Sequence, residues 1–412
     1  MTTAVDLRAP LARYATLLHA TAGDRHHVAS PLGAWLLGAL CAPAAATVGG
    51  QVADDLTRAL GVELFTAREM ATALLDDPHP AVLSAAALWL AGPPIPAVDE
   101  WIAELPVSVE TGPLPSQAEA DAWADEHTLG LIKEMPLKIR PETLLLLVTA
   151  LATRVSWARP FTLVPAARLG ASSPWRDSVG QVLETPQHGH DAFVARVPGI
   201  GDVAVHTGYA TEGLRVTSVI APAGTPPVEV IAAAYELAVA SATRGAVDRR
   251  SLFDLPLGEG PLWTITEERV RTAAPGGREE LHRAVLPAWS AFSRHDLSRA
   301  DLGIQAAAAA AKHALGIPDG WHEAAQVAMA RYTRVGFEAT AISAMMAGVS
   351  MPIPQDGVRR TAELRFGQPF AVVAVADRPW RDGWQPDTAQ GAAWLSLPVF
   401  SAWVAEPTEA AE

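Results

Sequence analysis

The chain has 412 residues and a formal net charge of -14, and 50% of its residues are hydrophobic. The charge argues against a nucleic-acid partner, because phosphate binding needs clustered lysine and arginine. No apolar run is long enough to span a bilayer, so no membrane partner is expected. The totals indicate a folded protein with a sizeable core, in one large domain or two to three ordinary ones.

The composition also bears on redox state and location. The single cysteine, Cys41, lies in an apolar stretch, so no disulfide can form within the chain and a buried, unreactive thiol is expected. The N-terminus shows no basic segment followed by an uninterrupted apolar one, so no secretory signal is predicted. A cytoplasmic location follows as an expectation, with export left open. High Ala and Arg content with almost no Lys indicates a GC-rich bacterial source.

The first eighty residues show helical spacing of apolar residues, at 11–21 and 31–40. Ser30 and Pro31 supply an N-cap and a proline at the first helical position. The almost wholly apolar run 82–90 follows, and it stops at a Gly-Pro-Pro sequence.

The middle of the chain predicts one more helix and then strands. A helix is predicted over 117–127, and the apolar run 144–157, which contains Thr and Val, predicts a strand covered on both faces. Short runs separated by Gly and Pro over 193–222 are typical of hairpins.

The last third mixes both kinds of element. Helices are predicted over 225–243 and around the six alanines at 306–311, and two strands over 361–376 and 393–404. No internal repeat or Gly/Ser-rich linker divides the chain, so the sequence predicts a mixed α+β fold in a single domain, 1–412.

No local motif indicates catalysis, since GxSxG, HExxH, Walker and paired CxxC patterns are all missing from the sequence. His188, His190 and Asp191 could bind a metal together with His206. A polar loop in a Pro- and Gly-rich region is the favoured interpretation of that cluster. We therefore predict no catalytic residue, no metal and no cofactor, and an enzyme using these histidines is a remote third hypothesis.

The segment GFEATAISAMMAG, residues 336–348, carries one charge in thirteen residues. On propensity alone it favours a helix that ends at Gly348. Its surroundings change that interpretation, because the run QVAMARYTRVGFEATAISA from Gln326 resembles the end of strand five and the proximal hinge of serpins.

Further motifs resemble serpin motifs, in the same order along the chain. They are Ser30-Pro31-Leu32, Ala86-Ala87-Leu88-Trp89, Trp123 to Ile132, Leu147 to Phe161 with Trp157, Leu286-Pro287 with Trp289, Glu363 to Phe370 and Trp394 to Pro407. The resemblance covers essentially the whole chain. It implies the serpin fold: three β-sheets, eight or nine helices and an exposed reactive-centre loop, here at 336–362 with its hinge.

The resemblance implies a mechanism as well. In serpins the cleaved loop enters the central sheet as a new strand and carries the acyl-linked protease with it, which releases strain stored in the native fold. The hinge residues assigned by the resemblance are Gly336, Phe337, Glu338, Ala339, Thr340, Ala341 and Ser343. In a strand, residues 337, 339, 341, 343 and 345 share one face.

This sequence departs from the family pattern at several positions. Phe337 is bulky for the first buried hinge position, and overpacking typically costs ~1–3 kcal/mol. Gln326, Thr149 and Gly33 replace the usual His, Asn and second Ser of the shutter, the polar cluster beneath the central sheet. Ser30, Thr149 and Gln326 are our candidates for a rebuilt network, and Trp157 for the breach at the top of the sheet. Plain polar contacts in the core, without a regulatory role, are an equal alternative.

Two positions for the reactive bond stay open. Fourteen positions after Gly336 lies Ser350, which gives Ser350–Met351 and an elastase- or subtilisin-like target. Counting back from Glu363 lands on Val358, next to Arg359-Arg360, and with Arg359 as the target residue the protease would be trypsin-like. The first is favoured because the sheet fixes the insertion length, whereas the distal side tolerates extra residues.

The sequence thus predicts a serine protease inhibitor that acts as a suicide substrate, is expected to be a monomer and needs no cofactor. The alternative is a serpin-fold binding protein without inhibitory activity, to which Phe337 and the altered shutter point.

Overall fold

A computed structural model describes residues 6–93, 95–298, 300–337, 355–379 and 390–410. The predictions for Glu338, Ala339, Thr340, Ala341, Ser343, Ser350 and Met351 lie outside these residues.

The described residues form nine α-helices. They are α1 (Arg8–Ala20), α2 (Pro31–Leu40), α3 (Ala42–Val48), α4 (Gly50–Leu60), α5 (Leu64–Asp76), α6 (Pro96–Ala103), α7 (Gln117–His127), α8 (Pro227–Thr243) and α9 (Ile304–Ala314). In α2 the Ser30 side chain accepts a hydrogen bond from the Gly33 amide, as the N-cap prediction requires. None of these helices alone is long and apolar enough to cross a membrane, and only the bent pair α2–α3 passes that test by length and composition.

The described residues also form nineteen strands. They are β1 (His27–Ala29), β2 (Leu83–Leu90), β3 (Glu110–Pro113), β4 (Leu145–Ala152), β5 (Val155–Ser156), β6 (Thr162–Pro165), β7 (Gln181–Glu184), β8 (His190–Val197), β9 (Gly201–Tyr209), β10 (Leu214–Ile220), β11 (Gly258–Glu259), β12 (Trp263–Thr272), β13 (Arg278–Leu286), β14 (Trp289–Asp296), β15 (Ala325–Tyr332), β16 (Gly336–Phe337), β17 (Gln355–Arg365), β18 (Phe370–Ala376) and β19 (Pro398–Val404).

Three groups of strands make up the sheets. One six-stranded sheet has the order β1-β19-β18-β10-β9-β8, and a second has the order β11-β12-β17-β13-β7-β6. The third group is divided into β3-β2-β4, β14-β15 and β16-β5. The largest buried apolar cluster contains residues from Leu7 to Ala410, so both ends of the described chain reach the same core.

Three strand predictions need correction. The run 144–157 is broken at Thr153 and Arg154, so it forms β4 and the short β5 instead of one strand. The predicted strand 361–376 is also divided, because Gly367 and Pro369 separate the end of β17 from β18 and proline cannot donate to a sheet ladder. The last strand begins at Pro398, since residues 392–394 form a 3₁₀ turn.

Cys41 is a free, buried thiol, as the composition predicted. Burial raises its pKa to about 12, which keeps the thiol protonated and unreactive at neutral pH.

A chain of neutral hydrogen bonds crosses the core beneath β1. His27 Nδ1 lies 2.7 Å from the Arg25 carbonyl oxygen, His19 Nδ1 2.6 Å from His27 Nε2, and His19 Nε2 2.6 Å from Ser401 Oγ. Tyr235 Oη lies 2.8 Å from the same Ser401 hydroxyl. Because the Arg25 carbonyl can only accept, His27 donates from Nδ1 and accepts at Nε2 from His19 Nδ1. His19 Nε2 then accepts from the Ser401 hydroxyl, which in turn accepts from the Tyr235 hydroxyl. An added proton would break this order.

We therefore expect the protein to lose stability in acid. Burial lowers the pKa values of His27 and His190 to about 4, against about 6.5 in an unfolded chain. The unfolded state binds more protons between these values, so stability is full above pH ~6.5 and falls toward pH ~4. Each histidine contributes about 3 kcal/mol to this loss. Urea unfolding at a series of pH values measures it, and a His190→Asn variant should show a shallower decline. A stability that does not change over this range would contradict the expectation.

Candidate functional site: a divided sheet and the hinge beside it

The third sheet is open in its middle. Among the described residues, β4 pairs only with β2, and β15 pairs only with β14. Residues of both strands line one cavity of about 720 Å³, together with residues of α7 and α9. The two unpaired edges that face this cavity therefore form a slot that can accept an additional strand.

The two faces of β4 are buried by different partners. Leu146, Val148 and Ala150 pack in a cluster with Trp123 of α7. The odd-numbered residues face the main core, in which Leu151 is buried. A strand added beside β4 would therefore have both of its faces covered, which explains why such a strand should carry small, uncharged residues.

A polar network joins the two edges of the slot from below. On the β15 side, Gln326 Oε1 accepts from the Ser30 amide at 2.9 Å, and Gln326 Nε2 donates to the Ser30 carbonyl at 2.8 Å. On the β4 side, Thr149 Oγ1 donates to the Gly33 carbonyl at 2.9 Å. Ser30 Oγ completes the link, since it donates to the Val399 carbonyl and accepts from the Gly33 amide.

The structure thus brings the three shutter candidates, Ser30, Thr149 and Gln326, into one network at the start of α2. Gly33 is at the centre of it. A Cβ atom at this position would lie 3.1 Å from a Leu151 methyl carbon and 3.2 Å from Ser30 Oγ. A serine at this position would crowd the network, so the glycine leaves room for the Gln326 side-chain amide. That amide supplies the hydrogen bonds in place of the serine that is usual here.

We expect a Gln326→Leu substitution to lower the free energy of unfolding by about 2 kcal/mol, because it leaves the buried Ser30 amide without a partner. It also removes one of the two hydrogen bonds to the Ser30 carbonyl, which keeps the bond from the Ala34 amide. Urea denaturation measures this change. Gln305→Leu is the matched control, since Gln305 is exposed and its side chain donates to the Ser298 carbonyl. Equal effects of the two substitutions would show that Gln326 does not hold the edges together.

At the top of the slot, Trp157 holds the turn that follows β15. Its backbone amide donates to the Val335 carbonyl at 3.0 Å, and its indole Nε1 donates to the Thr333 carbonyl at 2.9 Å. The Phe161 amide donates to the Arg334 carbonyl at 2.9 Å. Every residue of the turn 333–335 is therefore fixed by a hydrogen bond from this one segment.

Immediately after the turn, the chain begins to pair with the β4 side of the slot. Gly336 lies opposite Ser156, and Phe337 opposite Val155, in antiparallel register. The turn is closed by the Thr333 amide, which donates to the Gly336 carbonyl at 3.0 Å. The first two hinge residues are thus strand residues, and the propensity-based helix does not begin at Gly336.

Sequence reasoning did not identify the groups that surround Trp157. Its ring lies 4.9 Å from Tyr332 and 6.0 Å from Phe161, measured between ring centroids. The Glu212 carboxylate accepts from the Ser156 amide at 3.1 Å. The aromatic residues could have been found from their positions at the ends of two apolar runs, whereas nothing in the sequence around Glu212 indicates its role.

The histidine cluster 188–191 is not arranged as a metal site. His190 Nδ1 lies 2.9 Å from His206 Nε2, and His190 Nε2 lies 2.7 Å from the Arg159 carbonyl. Asp191 forms an ion pair with Arg249 at 2.6 Å. Within the described part of the chain, no group of three or more His, Cys, Asp or Glu residues could hold a metal ion.

The structure places Val358 and Arg359 inside β17, in the interior of the second sheet. Val358 lies opposite Arg269 of β12 and opposite Arg278 of β13. The residues that the sequence assigned to the distal half of the loop, 355–362, are therefore strand residues here.

Comparison with solved structures identifies the fold. The native state of tengpin, a thermophilic serpin, is 12% identical with a TM-score of 0.61, and the match covers 98% of this chain and 96% of that one. Human glycosylated kallistatin gives 13% identity and a TM-score of 0.62, over 98% and 100% of the two chains. Human thyroxine-binding globulin, complexed with its hormone, gives 12% and 0.60, over 98% and 99%.

No protein-family model and no curated protein matches the sequence. The fold class predicted from the motifs is confirmed by the structural matches, which span almost all of the chain, and by the nine helices and three sheet systems of the described residues. This chain has the serpin fold.

Proposed function

We propose that the protein is a serine protease inhibitor that traps its target by inserting its cleaved loop into the slot between β4 and β15. The observation that carries this proposal is β16, because two hinge residues already pair with the upper end of the slot. The chain needs no catalytic residue or cofactor for this reaction, since the protease supplies the nucleophile.

The pairing of β16 fixes a register for insertion. Gly336 opposite Ser156 and Phe337 opposite Val155, continued residue by residue, place Ser343 opposite Thr149 and Ala347 opposite Leu145. The inserted strand would then extend to the first residue of β4.

The turn gives a second, independent register. Thr333 opposite Gly336, continued along β15, places Ala341 opposite Ala328 and Ser343 opposite Gln326. Both registers put the odd-numbered hinge residues on the face directed at the main core, in which Tyr332 and Ala328 are buried. Ser343 would thus enter between the two shutter residues and could take over their hydrogen bonds.

The same geometry favours Ser350–Met351 as the reactive bond. Only residues 338–354 lie between β16 and β17. A bond between Val358 and Arg359 would lie within a strand paired on both edges, where a protease cannot bind it as an extended substrate. The segment after the hinge is longer than is usual in serpins, and its residues from Gln355 onward belong to β17 and not to the loop. An elastase- or subtilisin-like target follows from Ser350.

Incubation with elastase, subtilisin and trypsin tests the proposal. We expect a complex resistant to SDS with elastase or subtilisin, and mass spectrometry should show that the new C-terminus within it is Ser350. Trypsin should give no complex at Arg359. Cleavage between 338 and 354 without any stable complex would overturn the inhibitory function.

A binding protein without inhibitory activity is the second candidate. Phe337 favours it, because the registers put this large residue between Val155 and Tyr332, both of which are buried. A bulky residue between two buried residues favours overpacking, which opposes close pairing of an inserted strand at the top of the slot. Thyroxine-binding globulin, one of the structural matches, shows that the fold can carry a small ligand. Cleavage with neither a complex nor a gain in stability would support this candidate.

A further inference from the structure

The strand that follows the loop, β17, is paired along both of its edges. On one side β12 is antiparallel to it, from Trp263 opposite Leu364 to Thr272 opposite Gln355. On the other side β13 is parallel to it, from Arg278 opposite Val358 onward. β12 and β13 are consecutive in sequence, so β17 lies between the two arms of one hairpin-like unit.

Ion pairs reinforce both edges. Arg359 lies 3.3 Å from Glu268 of β12 and 3.0 Å from Glu279 of β13, so it joins the two neighbours of its own strand. Arg360 pairs with Glu267 of β12 at 2.8 Å and also donates to two carbonyl groups, of Leu252 and Leu255.

The opposite end of β17 is held in the same way. Arg365, which is 8% exposed, pairs with Glu259 at 3.0 Å, and Glu363 pairs with Arg168.

The connection between β12 and β13 also passes close to the first residues of β17. The Gln355 side chain donates to the Ala274 carbonyl at 3.3 Å. The backbones of Gly277 and Gly357 are so close that a Cβ atom at Gly277 would lie 3.1 Å from the Asp356 carbonyl oxygen. Only glycine fits at this crossing, so β17 cannot slide along its own axis without displacing the connection.

The length of the loop shows why this matters. If the uncleaved loop inserted as far as Ala347 opposite Leu145, eight steps from Ala347 would have to reach Gln355. Eight residues span at most about 29 Å. The return from Leu145 to the level of Val155 alone is ten strand residues, or about 33 Å. Gln355 is more distant still, because it is at the end of β17 farthest from β14.

We infer that β12 locks β17 into the second sheet, so that the loop can enter the slot only after it has been cleaved. This inference rests on the proposed function. Full insertion of the intact loop requires the first residues of β17, Gln355 to Gly357, to leave β12, and each further residue from Val358 onward to leave both β12 and β13. Cleavage removes that requirement, because the inserted part is then no longer connected to β17.

Prolonged incubation of the intact protein just below its unfolding temperature tests the lock, with a heat-stable form detected on urea-gradient gels. We expect no conversion of the wild type. The double variant Glu267→Gln/Glu268→Gln removes the β12 partners of Arg360 and Arg359, and it should convert measurably to the heat-stable form within the same incubation. Asp202→Asn is the control, because it also removes two ion pairs, those with Arg196 and Arg250, and should behave as the wild type.

Hydrogen exchange of the unaltered protein gives a second test that does not depend on folding of the variant. Amides of β17 should exchange as slowly as those of β18, a central strand. Faster exchange of β17, conversion of the intact wild type, or a double variant as inert as the wild type would each overturn the inference. The proposed function would fail differently, by the absence of any stable form after cleavage of the loop.

Discussion

Cleavage of the chain between residues 338 and 354 should raise the midpoint of thermal unfolding by on the order of 10 °C. The described edges of β4 and β15 are unpaired across the slot, and about a dozen residues can add to them at roughly 0.5–1.5 kcal/mol per net hydrogen bond. A gain on the order of 10 kcal/mol shifts the midpoint of a chain of this size by about that amount. Differential scanning calorimetry before and after limited proteolysis measures the shift.

The control for this experiment is the same chain exposed to the protease after the protease has been inactivated. Mass spectrometry must show that the cut lies in 338–354, because a cut elsewhere should only destabilise. A midpoint that is unchanged after cleavage within the loop would mean that the slot does not accept the hinge. The inhibitory mechanism would then be excluded for this chain, although the fold would remain.

Elements whose ends carry local signals could be predicted from the sequence. α2 begins at Pro31, directly after its cap Ser30, and α7 covers residues 117–127, as predicted, because capping and the 3.6-residue period are encoded within the segment itself. The order of the motifs along the chain was sufficient to predict the fold. It also identified Ser30, Thr149 and Gln326, which the structure places in one network.

The two features that define the site could not be predicted, because they depend on partners distant in sequence. The sequence of β4 does not show that one edge of this strand is unpaired, because its apolar run is equally consistent with a strand paired on both edges. β12 contains Glu267-Glu268-Arg269 and shows no apolar alternation, so the period that indicates a half-buried strand is missing. Its stability as a strand comes from β17, nearly a hundred residues later, and from ion pairs across that contact.

Under the proposed inhibitory function, an Ala341→Arg substitution should turn the protein into a substrate of its target protease. The two registers place residue 341 between Leu151 and Ala328, both buried in the main core, so an inserted arginine would have its charge there without a partner. The cost of several kcal/mol offsets much of the gain from insertion. We expect the yield of SDS-resistant complex to fall at least about tenfold, while the rate of cleavage at Ser350 is unchanged. Densitometry of complex and cleaved bands measures the partition.

Ala341→Val provides the matched control, because valine is uncharged and favours strands, so its complex yield should stay close to that of the wild type. The rise in melting temperature after cleavage should likewise be retained with valine and largely lost with arginine. The comparison separates insertion from recognition, since residue 341 is nine positions before the reactive bond and neither substitution alters the residues a protease would bind. If the arginine variant still trapped its protease in full yield, residue 341 would not face the core, and the register that begins at Gly336 and Phe337 could not continue down the slot.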